Sequence, residues 1–342
     1  MSLFVLYYHR ISIEGDVDIS LSNFERQMRF LKENAHVCDL DELCSFIESK
    51  RIPSRPTVAI TFDDGFYDTY AFAQPILEKY GLVATVFAIT SKIEKGTPRI
   101  TLKDYWEGKC TLYDFPKPSP YSLNIRDTAY PYKEAFMNTE ELLICDRKNL
   151  RVELHGHLHQ KLFTWPPEVV GKFSLWQSQK RIWWLRHIYK KPRKGMAILR
   201  MESSLSARKI SISQPDALII GRNPEAIELG KTILIESQED QAKRIKEEVI
   251  TGKKILESIL HRKISYICWP WGEYSDVSIS VAKDLGFKAS FTTKKALIDS
   301  NTDLFRIPRI STRRNFYKFF KRFFFCSNPL LFKSATILGI SF

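Results

Sequence analysis

Short apolar runs alternate with longer segments of helical spacing along this chain. Three runs have the length of a strand: Leu3 to Tyr8, Thr57 to Phe62 and Val83 to Ile89. Between the last two, residues 69 to 80 have the pattern of a helix, and Gly81 follows as a C-cap. A strand, a helix and another strand in this order predict a parallel sheet with a right-handed crossover.

The same alternation continues toward the C-terminus. Strands are predicted for Arg151 to Leu154, Ile264 to Trp269 and Phe287 to Thr292, and helices for 238–260 and 275–285. An earlier helix is predicted to begin at Ser22-Asn23-Phe24-Glu25, a sequence typical of a capping box. The pattern indicates an α/β fold resembling a barrel, whose active residues collect at the carboxyl ends of the strands.

Residues 163–235 break this pattern. Tryptophans lie there among many lysines and arginines, at Trp165, Trp176, Trp183 and Trp184. We interpret this segment as a subdomain inserted into a barrel that residues 1–162 and 236–312 form. Residues 313–342 then form an aromatic and basic tail. Its FYKFFKRFFF sequence is typical of a segment that lies on anionic lipid, or of a hydrophobic helix packed on the barrel.

Composition narrows the class of protein. The chain has 342 residues, 44% of them hydrophobic, which suffices for one large domain or two ordinary ones. Its net charge of +13 attracts nucleic acid, anionic lipid or phosphate-bearing substrates, or serves solubility alone. Six cysteines without a CxxC pair fit reduced thiols. With no secretory signal and no apolar run of roughly 20 residues, we expect a cytoplasmic protein with peripheral membrane contact as an option.

The candidate chemistry lies just after predicted strands. Asp63 and Asp64 follow the second strand, and His155 and His159 follow the Arg151–Leu154 strand. The i, i+4 spacing of the histidines can place both on one side of a helical turn. One carboxylate and two imidazoles make a three-ligand set for a catalytic divalent metal, which leaves the other carboxylate as a base. Taken singly, Asp-Asp-Gly also suits a turn, and HGHLH a surface loop.

These residues also resemble a known family. Thr61-Phe62-Asp63-Asp64-Gly65 is similar to the TFDDG signature of polysaccharide deacetylases, the NodB-homology or carbohydrate esterase 4 group. Residues 155–162 resemble the family's His-x-x-x-His segment, and 269–274 (WPWGEY) its YPYGEY segment. The resemblance extends over residues 3–310 apart from the insertion. It implies a distorted (β/α) barrel that removes the N-acetyl group from an amino sugar of a polysaccharide or of its lipid- or nucleotide-linked precursor.

The resemblance also implies a role for each matching residue. Asp63 would be the general base, and Asp64, His155 and His159 would bind the metal, with Zn²⁺ as the expected ion. The backbone N–H of Trp271 would donate to the oxyanion of the transition state.

The general acid departs from the family pattern. Many members supply it from a histidine near the C-terminal end, but the last histidine here is His261. His9, in Tyr7-Tyr8-His9-Arg10-Ile11, resembles the YHxI start of the branch that includes poly-N-acetylglucosamine deacetylases. We expect His9 to be the acid; a buried structural histidine is the alternative.

Three further positions differ. Cys268 stands where the family has the arginine of RPPYG, and Arg309 is expected to orient Asp63 instead, a surface or structural arginine being the alternative. Gly156 replaces a Ser or Thr that would support the first metal histidine. His157 is expected to point away from the metal.

Two other functions compete with the enzyme. A catalytically degenerate barrel that binds glycan or membrane would explain Cys268, Gly156 and the missing C-terminal histidine. Nucleic-acid binding has only the charge and the Trp-rich insertion in its favour. Because both aspartates and both metal histidines are present, the sequence favours the hydrolase.

Overall fold

One parallel sheet organises the protein. The computed structural model describes residues 2–15, 18–51, 53–116, 135–163, 169–172, 197–199, 201–206, 210–212, 233–312 and 314–339. The strands of the sheet are β1 (Leu3–Tyr8), β2 (His36–Cys38), β3 (Thr57–Phe62), β4 (Ala84–Ala88), β5 (Leu150–Leu154), β6 (Tyr266–Cys268), β7 (Ala289–Phe291) and β8 (Ile310–Ser311).

The strand order is β7-β6-β5-β4-β3-β1-β8, and β2 pairs with the first half of β3. Every pairing in this sheet is parallel. Ile307 bridges Phe291 of β7, while Ile310 and Ser311 pair with β1. The segment from 307 to 311 therefore joins the two ends of the sheet, and the expectation of a distorted (β/α) barrel is confirmed.

Helices cover the outside of the sheet. They are α1 (Leu21–Asn34), α2 (Leu40–Glu48), α3 (Gln74–Tyr80), α4 (Leu102–Trp106), α5 (Thr139–Arg147), α6 (Gln238–Leu260), α7 (Asp276–Asp284), α8 (Phe316–Ser327) and α9 (Pro329–Ile337). Short 3₁₀ turns lie at Thr90–Lys92, Leu112–Asp114, Pro270–Gly272 and Leu304–Arg306. The long helix over 238–260 has the predicted bounds. The predicted helix over 69–80 divides into a π-helical turn, Thr69–Ala73, and α3.

The start of α1 differs from the prediction. The helix begins at Leu21, because Ser20 is the N-cap and its Oγ accepts a hydrogen bond from the Asn23 N–H at 3.3 Å. The proposed cap, Ser22, lies within the helix. The predicted apolar face is correct, since Phe24, Met28 and Leu31 are buried.

Strands β3 and β4 lie in the core on both faces. Every residue of each is buried, as expected for parallel strands covered by helices. Trp269, which follows β6, is also fully buried and donates its indole N–H to the Ser290 hydroxyl at 2.9 Å. The carboxyl ends of the strands are therefore held on a rigid base.

Within the proposed insertion, the described residues form short antiparallel pairs. Lys161–Phe163 pairs with Met201–Ser203, Val169–Lys172 with Ala197–Leu199, and Ile210–Ile212 with Ile233–Ile235. Ser203 to Ser206 are buried. The four tryptophans lie outside the described residues. The boundaries of the insertion stay a prediction.

The tail forms α8 and α9, which pack against each other. Phe323 of α8 contacts Phe4 of β1, with ring centroids 6.0 Å apart, and Phe30 of α1, at 5.0 Å. Among the described residues, we find no helix with the length and apolar character needed to cross a membrane.

Candidate functional site

A tight turn after β3 positions the two aspartates. The Asp63 N–H donates to the carbonyl of Tyr8 at 2.9 Å, so this residue continues the β1–β3 pairing. Asp64 and Gly65 then adopt positive φ angles of 73° and 77°. A Cβ at Gly65 would lie 3.1 Å from Ala88, so the close approach of β4 requires glycine here. The turn fixes both carboxylates at the end of the sheet.

The histidines lie on a loop after β5 and not on the helical turn that their spacing suggested. The His155 N–H donates to the carbonyl of Ala88 at 2.9 Å, which continues the β4–β5 pairing. Gly156 and His159 have φ angles of 77° and 51°, which a right-handed helix excludes. The loop nevertheless brings the two imidazole rings together, with centroids 5.1 Å apart.

Asp64, His155 and His159 form a compact donor cluster. The Asp64 Oδ1 lies 3.3 Å from His155 Nε2 and 3.5 Å from His159 Nε2. The three ligand atoms all lie within 4.8 Å of one another. Two imidazoles and one carboxylate on three sides of a common point suit a divalent metal whose remaining positions stay open. The donor set therefore fits the expected ion.

A backbone oxygen orients the first of these imidazoles. His155 Nδ1 lies 2.9 Å from the carbonyl oxygen of Cys268 at the end of β6. When Nδ1 carries the proton and donates it to this oxygen, the lone pair of Nε2 faces Asp64. This arrangement is typical of metal-binding histidines.

The electrostatics of Asp64 and His159 are suited to a cation. Burial raises the pKa of the Asp64 carboxyl, but the two imidazoles more than offset this and lower it below its usual value. Burial lowers the pKa of His155, yet Cys268, Asp64 and Asp63 together raise it well above normal. Burial lowers the pKa of His159 to about 4 despite the charge of Asp64. At neutral pH His159 is therefore neutral and offers a lone pair beside an ionised carboxylate.

Asp63 is held by a buried arginine. Arg309 donates to Asp63 Oδ1 at 2.7 Å through one terminal nitrogen and to Oδ2 at 2.8 Å through the other. Arg309 is itself fixed by Thr61 Oγ1 at 3.1 Å and by the Thr292 carbonyl at 2.9 Å. Burial raises the pKa of Asp63, but Arg309 reverses this and holds it below its usual value. The carboxylate is therefore ionised and fixed in direction.

Arg309 lies beside Cys268, the residue that replaces the family arginine. One terminal nitrogen of Arg309 lies 2.8 Å from Cys268 Sγ. Burial raises the pKa of the Cys268 thiol, so the sulfur is uncharged at neutral pH. Arg309 comes from the segment between β7 and β8, whereas Cys268 ends β6. A guanidinium thus reaches Asp63 although Cys268 does not supply it. Arg309 is fully buried, so the surface alternative is wrong, and its role in orienting Asp63 for catalysis stays a prediction.

His9 lies beside Asp63 on the solvent-exposed side of the site. Tyr8 pairs with Phe62 in the β1–β3 register, so the next residues, His9 and Asp63, are neighbours. The His9 Nε2 lies 3.9 Å from Asp63 Oδ2, and 42% of the His9 side chain is exposed. A buried structural histidine, the alternative to a general acid, does not describe this position.

Trp271 forms a wall of the metal cluster. Its ring centroid lies 4.0 Å from that of His159. Trp271 has a φ of 57°, and its carbonyl accepts a hydrogen bond from Thr293 Oγ1 at 3.1 Å. A Cβ at Gly272 would lie 2.1 Å from the same Thr293 oxygen, so only glycine fits after Trp271.

The sequence analysis missed a carboxylate that supports the histidine loop. Glu248 of α6 accepts hydrogen bonds from the Leu158 N–H at 3.1 Å and from Ser204 Oγ at 2.9 Å. Its signal was present in the sequence, because Glu248 shares the apolar face of the helix with Ile245 and Val249, where a charged residue needs partners.

His157 points away from the cluster, as expected. Its Nδ1 lies 2.8 Å from Thr90 Oγ1 in the turn after β4. The hydrogen bond links the histidine loop to the neighbouring strand end.

Comparison with known proteins agrees with the local geometry. The family model described as polysaccharide deacetylase matches residues 50–198, which include Asp63, Asp64, His155 and His159. Residues 50–198, which are less than half of the chain, are therefore similar to polysaccharide deacetylases. The chain is 37% identical over 90 residues to YxkH of Bacillus subtilis, a match that covers 26% of the chain and 32% of the relative. It is 33% identical over 91 residues to a poly-beta-1,6-N-acetyl-D-glucosamine N-deacetylase of Staphylococcus aureus, covering 26% and 31%. The chain thus matches less than a third of the length of either relative.

Solved structures show the same fold. A de-N-acetylase from Aggregatibacter actinomycetemcomitans superposes with a TM-score of 0.62 at 16% identity and covers 94% of this chain and 100% of its own. IcaB from Ammonifex degensii gives 0.55 at 16% identity, with 96% and 97% covered. These likenesses show that the chain has the same barrel fold as these two proteins.

Proposed function

We propose that this protein is a metal-dependent hydrolase that removes the N-acetyl group from an amino sugar. One observation carries the proposal: the Asp63–Arg309 pair lies directly beside the Asp64, His155 and His159 cluster. A fixed proton acceptor next to a three-ligand metal site is an arrangement that serves metal-dependent amide hydrolysis. The Staphylococcus aureus relative named as a poly-beta-1,6-N-acetyl-D-glucosamine N-deacetylase supports an N-acetylated glycan as the substrate.

Asp64, His155 and His159 would bind the metal, and we propose Zn²⁺ because two imidazoles and one carboxylate are typical ligands for it. When bound, the ion supplies Lewis acidity toward the amide carbonyl and makes a water molecule more acidic. The Cys268 carbonyl holds the His155 ring in place through Nδ1. Trp271 packs on the second imidazole and keeps bulk water from that side of the ring.

Asp63 would accept the proton from the attacking water. Arg309 occupies one acceptor direction on each of its oxygens, and a carboxylate oxygen has a second lone pair available. Because its pKa is lowered, Asp63 is deprotonated before each turnover. Arg309 thus keeps the Asp63 carboxylate oriented and deprotonated, but it also makes Asp63 a weaker base.

His9 would then protonate the departing amine. It lies on the solvent side of Asp63, with its Nε2 3.9 Å from Asp63 Oδ2, so the base and the acid can face one bound substrate from adjacent strands. We assign to the backbone N–H of Trp271 the stabilisation of the oxyanion.

For the substrate, we propose a polysaccharide or its lipid- or nucleotide-linked precursor. The net charge of +13 suits a carrier that bears phosphate, because an excess of cations attracts it and speeds encounter.

A degenerate barrel that binds glycan without cleaving it is the competing function. Two of its three arguments weaken in the folded protein. Arg309 supplies a guanidinium to Asp63 although Cys268 does not. Gly156 has a φ of 77°, and a Cβ there would lie 3.2 Å from Leu205, so this glycine serves the loop geometry. For the third argument, the missing C-terminal histidine, we propose His9 as the replacement.

The test combines metal analysis with acetate release from N-acetylated glucosamine oligomers. We expect the purified chain to bind about one Zn²⁺ and to release acetate. His155→Ala and His159→Ala should lose both, whereas His157→Ala, a matched control on the same loop, should keep the metal. Asp63→Asn should keep the metal and lose turnover. Bound zinc without acetate release from any N-acetylated acceptor would favour the binding function, and turnover in Asp63→Asn would contradict the assigned base.

A further inference from the structure

Helix α8 has a buried face and an exposed aromatic face. Phe319, Phe323 and Cys326 pack toward the barrel. On the other side, 72% of Tyr317 and 55% of Phe324 are exposed. These two residues are seven positions apart, so they lie on one side of the helix, two turns from each other.

Lysines flank the exposed aromatics. Lys318 and Lys321 are exposed on α8, one and four residues after Tyr317. Helix α9 repeats the combination: Leu330 is 77% exposed, and Lys333 is exposed three residues later on the same side. No aspartate or glutamate follows Asp303 in the sequence, so no acid on α8 or α9 offsets these charges.

We propose that this tail surface, made of Tyr317, Lys318, Lys321, Phe324, Leu330 and Lys333, docks on a membrane that contains anionic lipid. Exposed aromatic and aliphatic side chains enter the boundary between headgroups and acyl chains, while lysines beside them meet the lipid phosphates. The proposed contact is peripheral, with both helices lying along the membrane surface.

The charge pattern selects an anionic membrane over other occupants. A second copy of the chain would bring the same lysines face to face, and like charges in contact oppose association. An apolar protein partner would not explain an acid-free surface with lysines along the aromatic stripe. An anionic bilayer satisfies both the apolar and the basic side chains.

A pocket beside α9 combines apolar and basic residues in the same way as the tail surface. This pocket of about 380 Å³ is lined by Pro329 and Phe332 of α9 and by apolar residues near the start of β1. Lys50 and Arg51, both exposed, line it together with one acid, Asp299. Apolar walls and a net positive lining continue the tail surface toward the body of the protein.

Flotation with vesicles tests this surface. The full-length chain should float with vesicles of phosphatidylcholine and phosphatidylglycerol, float poorly with phosphatidylcholine alone, and lose binding as salt rises. Tyr317→Ser/Phe324→Ser and Lys318→Glu/Lys321→Glu should each weaken partitioning about tenfold or more. Acetate release from a soluble oligomer should be unchanged in both variants, which separates this inference from the proposed function.

Two matched variants control for general effects. Tyr105→Ser/Tyr113→Ser removes two exposed aromatics elsewhere on the barrel. Lys243→Glu/Lys246→Glu reverses two exposed lysines with the same spacing on α6. Both should bind vesicles like the original chain. The inference is overturned if the original chain does not bind anionic vesicles, if the tail variants bind as well as their controls, or if the tail variants only dissociate a dimer detected by light scattering.

Discussion

Arg309 holds both oxygens of Asp63, at 2.7 and 2.8 Å, and both side chains are almost completely buried. A two-pronged contact between a guanidinium and a carboxylate is among the strongest hydrogen-bonded pairs in proteins. Here the pair lies at the centre of the site, and the Arg309 side chain is not exposed to solvent. The stability of the barrel and the proposed chemistry therefore depend on the same pair.

Replacing Arg309 should destabilise the fold. Arg309→Met leaves Asp63 as an uncompensated buried charge, and we expect a loss of about 3–5 kcal/mol in the free energy of unfolding. The double variant Asp63→Asn/Arg309→Met should recover part of this loss, because the orphaned charge is gone. Denaturant unfolding of the single and double variants measures both values. If the double variant is the less stable of the two, the pair is not the source of the effect.

His9 should affect turnover and not metal binding. His9→Ala removes the proposed proton donor but none of the metal ligands, so zinc content should be kept while acetate release falls roughly 10²–10⁴-fold. His36→Ala is the control, because His36 is also half exposed and is paired with Glu42 on another part of the barrel. Turnover that His9→Ala leaves intact would end the assignment of the acid.

Glu248 should determine how firmly the histidine loop binds metal. Glu248→Ala leaves the Leu158 N–H and the Ser204 hydroxyl without their acceptor, and we expect zinc affinity to fall about 10–100-fold. Glu248→Gln should be milder, since an amide oxygen can still accept from Leu158. Competition with a chromophoric chelator measures the affinity. Glu247→Ala, on the exposed neighbour, should not change it; equal affinities for all three variants would rule out the supporting role.

Gly272 should be intolerant of a side chain. Gly272→Ala adds backbone strain at a φ of 73° and a clash with Thr293 Oγ1, so we expect a loss of about 2–4 kcal/mol in the free energy of unfolding. Gly286→Ala has a nearly equal φ of 74° but no atom within 4 Å of the added Cβ. It should therefore lose only about 1 kcal/mol. Similar losses in the two variants would show that the contact with Thr293 yields at little cost.

Sequence reasoning works best where local pattern and burial agree. The TVAITF run predicts β3, and the spacing of apolar residues predicts α6 with its bounds. Caps are less certain, because Ser20 and Ser22 both precede helical residues and only the hydrogen bond to Asn23 distinguishes them.

Contacts between distant segments were harder to predict. The spacing of His155 and His159 suits a helical turn, but Gly156 and His159 adopt positive φ angles and the rings meet across a loop. Arg309 was left between two roles, because a single sequence does not tell which strands become neighbours when a sheet curls. Glu248 was missed because its partners lie about 45 and 90 residues away along the chain.

Because the sheet curls, residues that are far apart in the sequence can lie side by side in the site. β1 and β8 lie at opposite ends of the polypeptide, yet they are hydrogen-bonded neighbours. In a closed ring of parallel strands, every strand has a neighbour on each side, whatever its place in the sequence. A proton donor can thus be supplied by the first strand instead of the last, and an arginine by a different strand, and each can still contact the same carboxylate. The geometry of the site therefore depends on which strands are neighbours and not on the order of their residues along the chain.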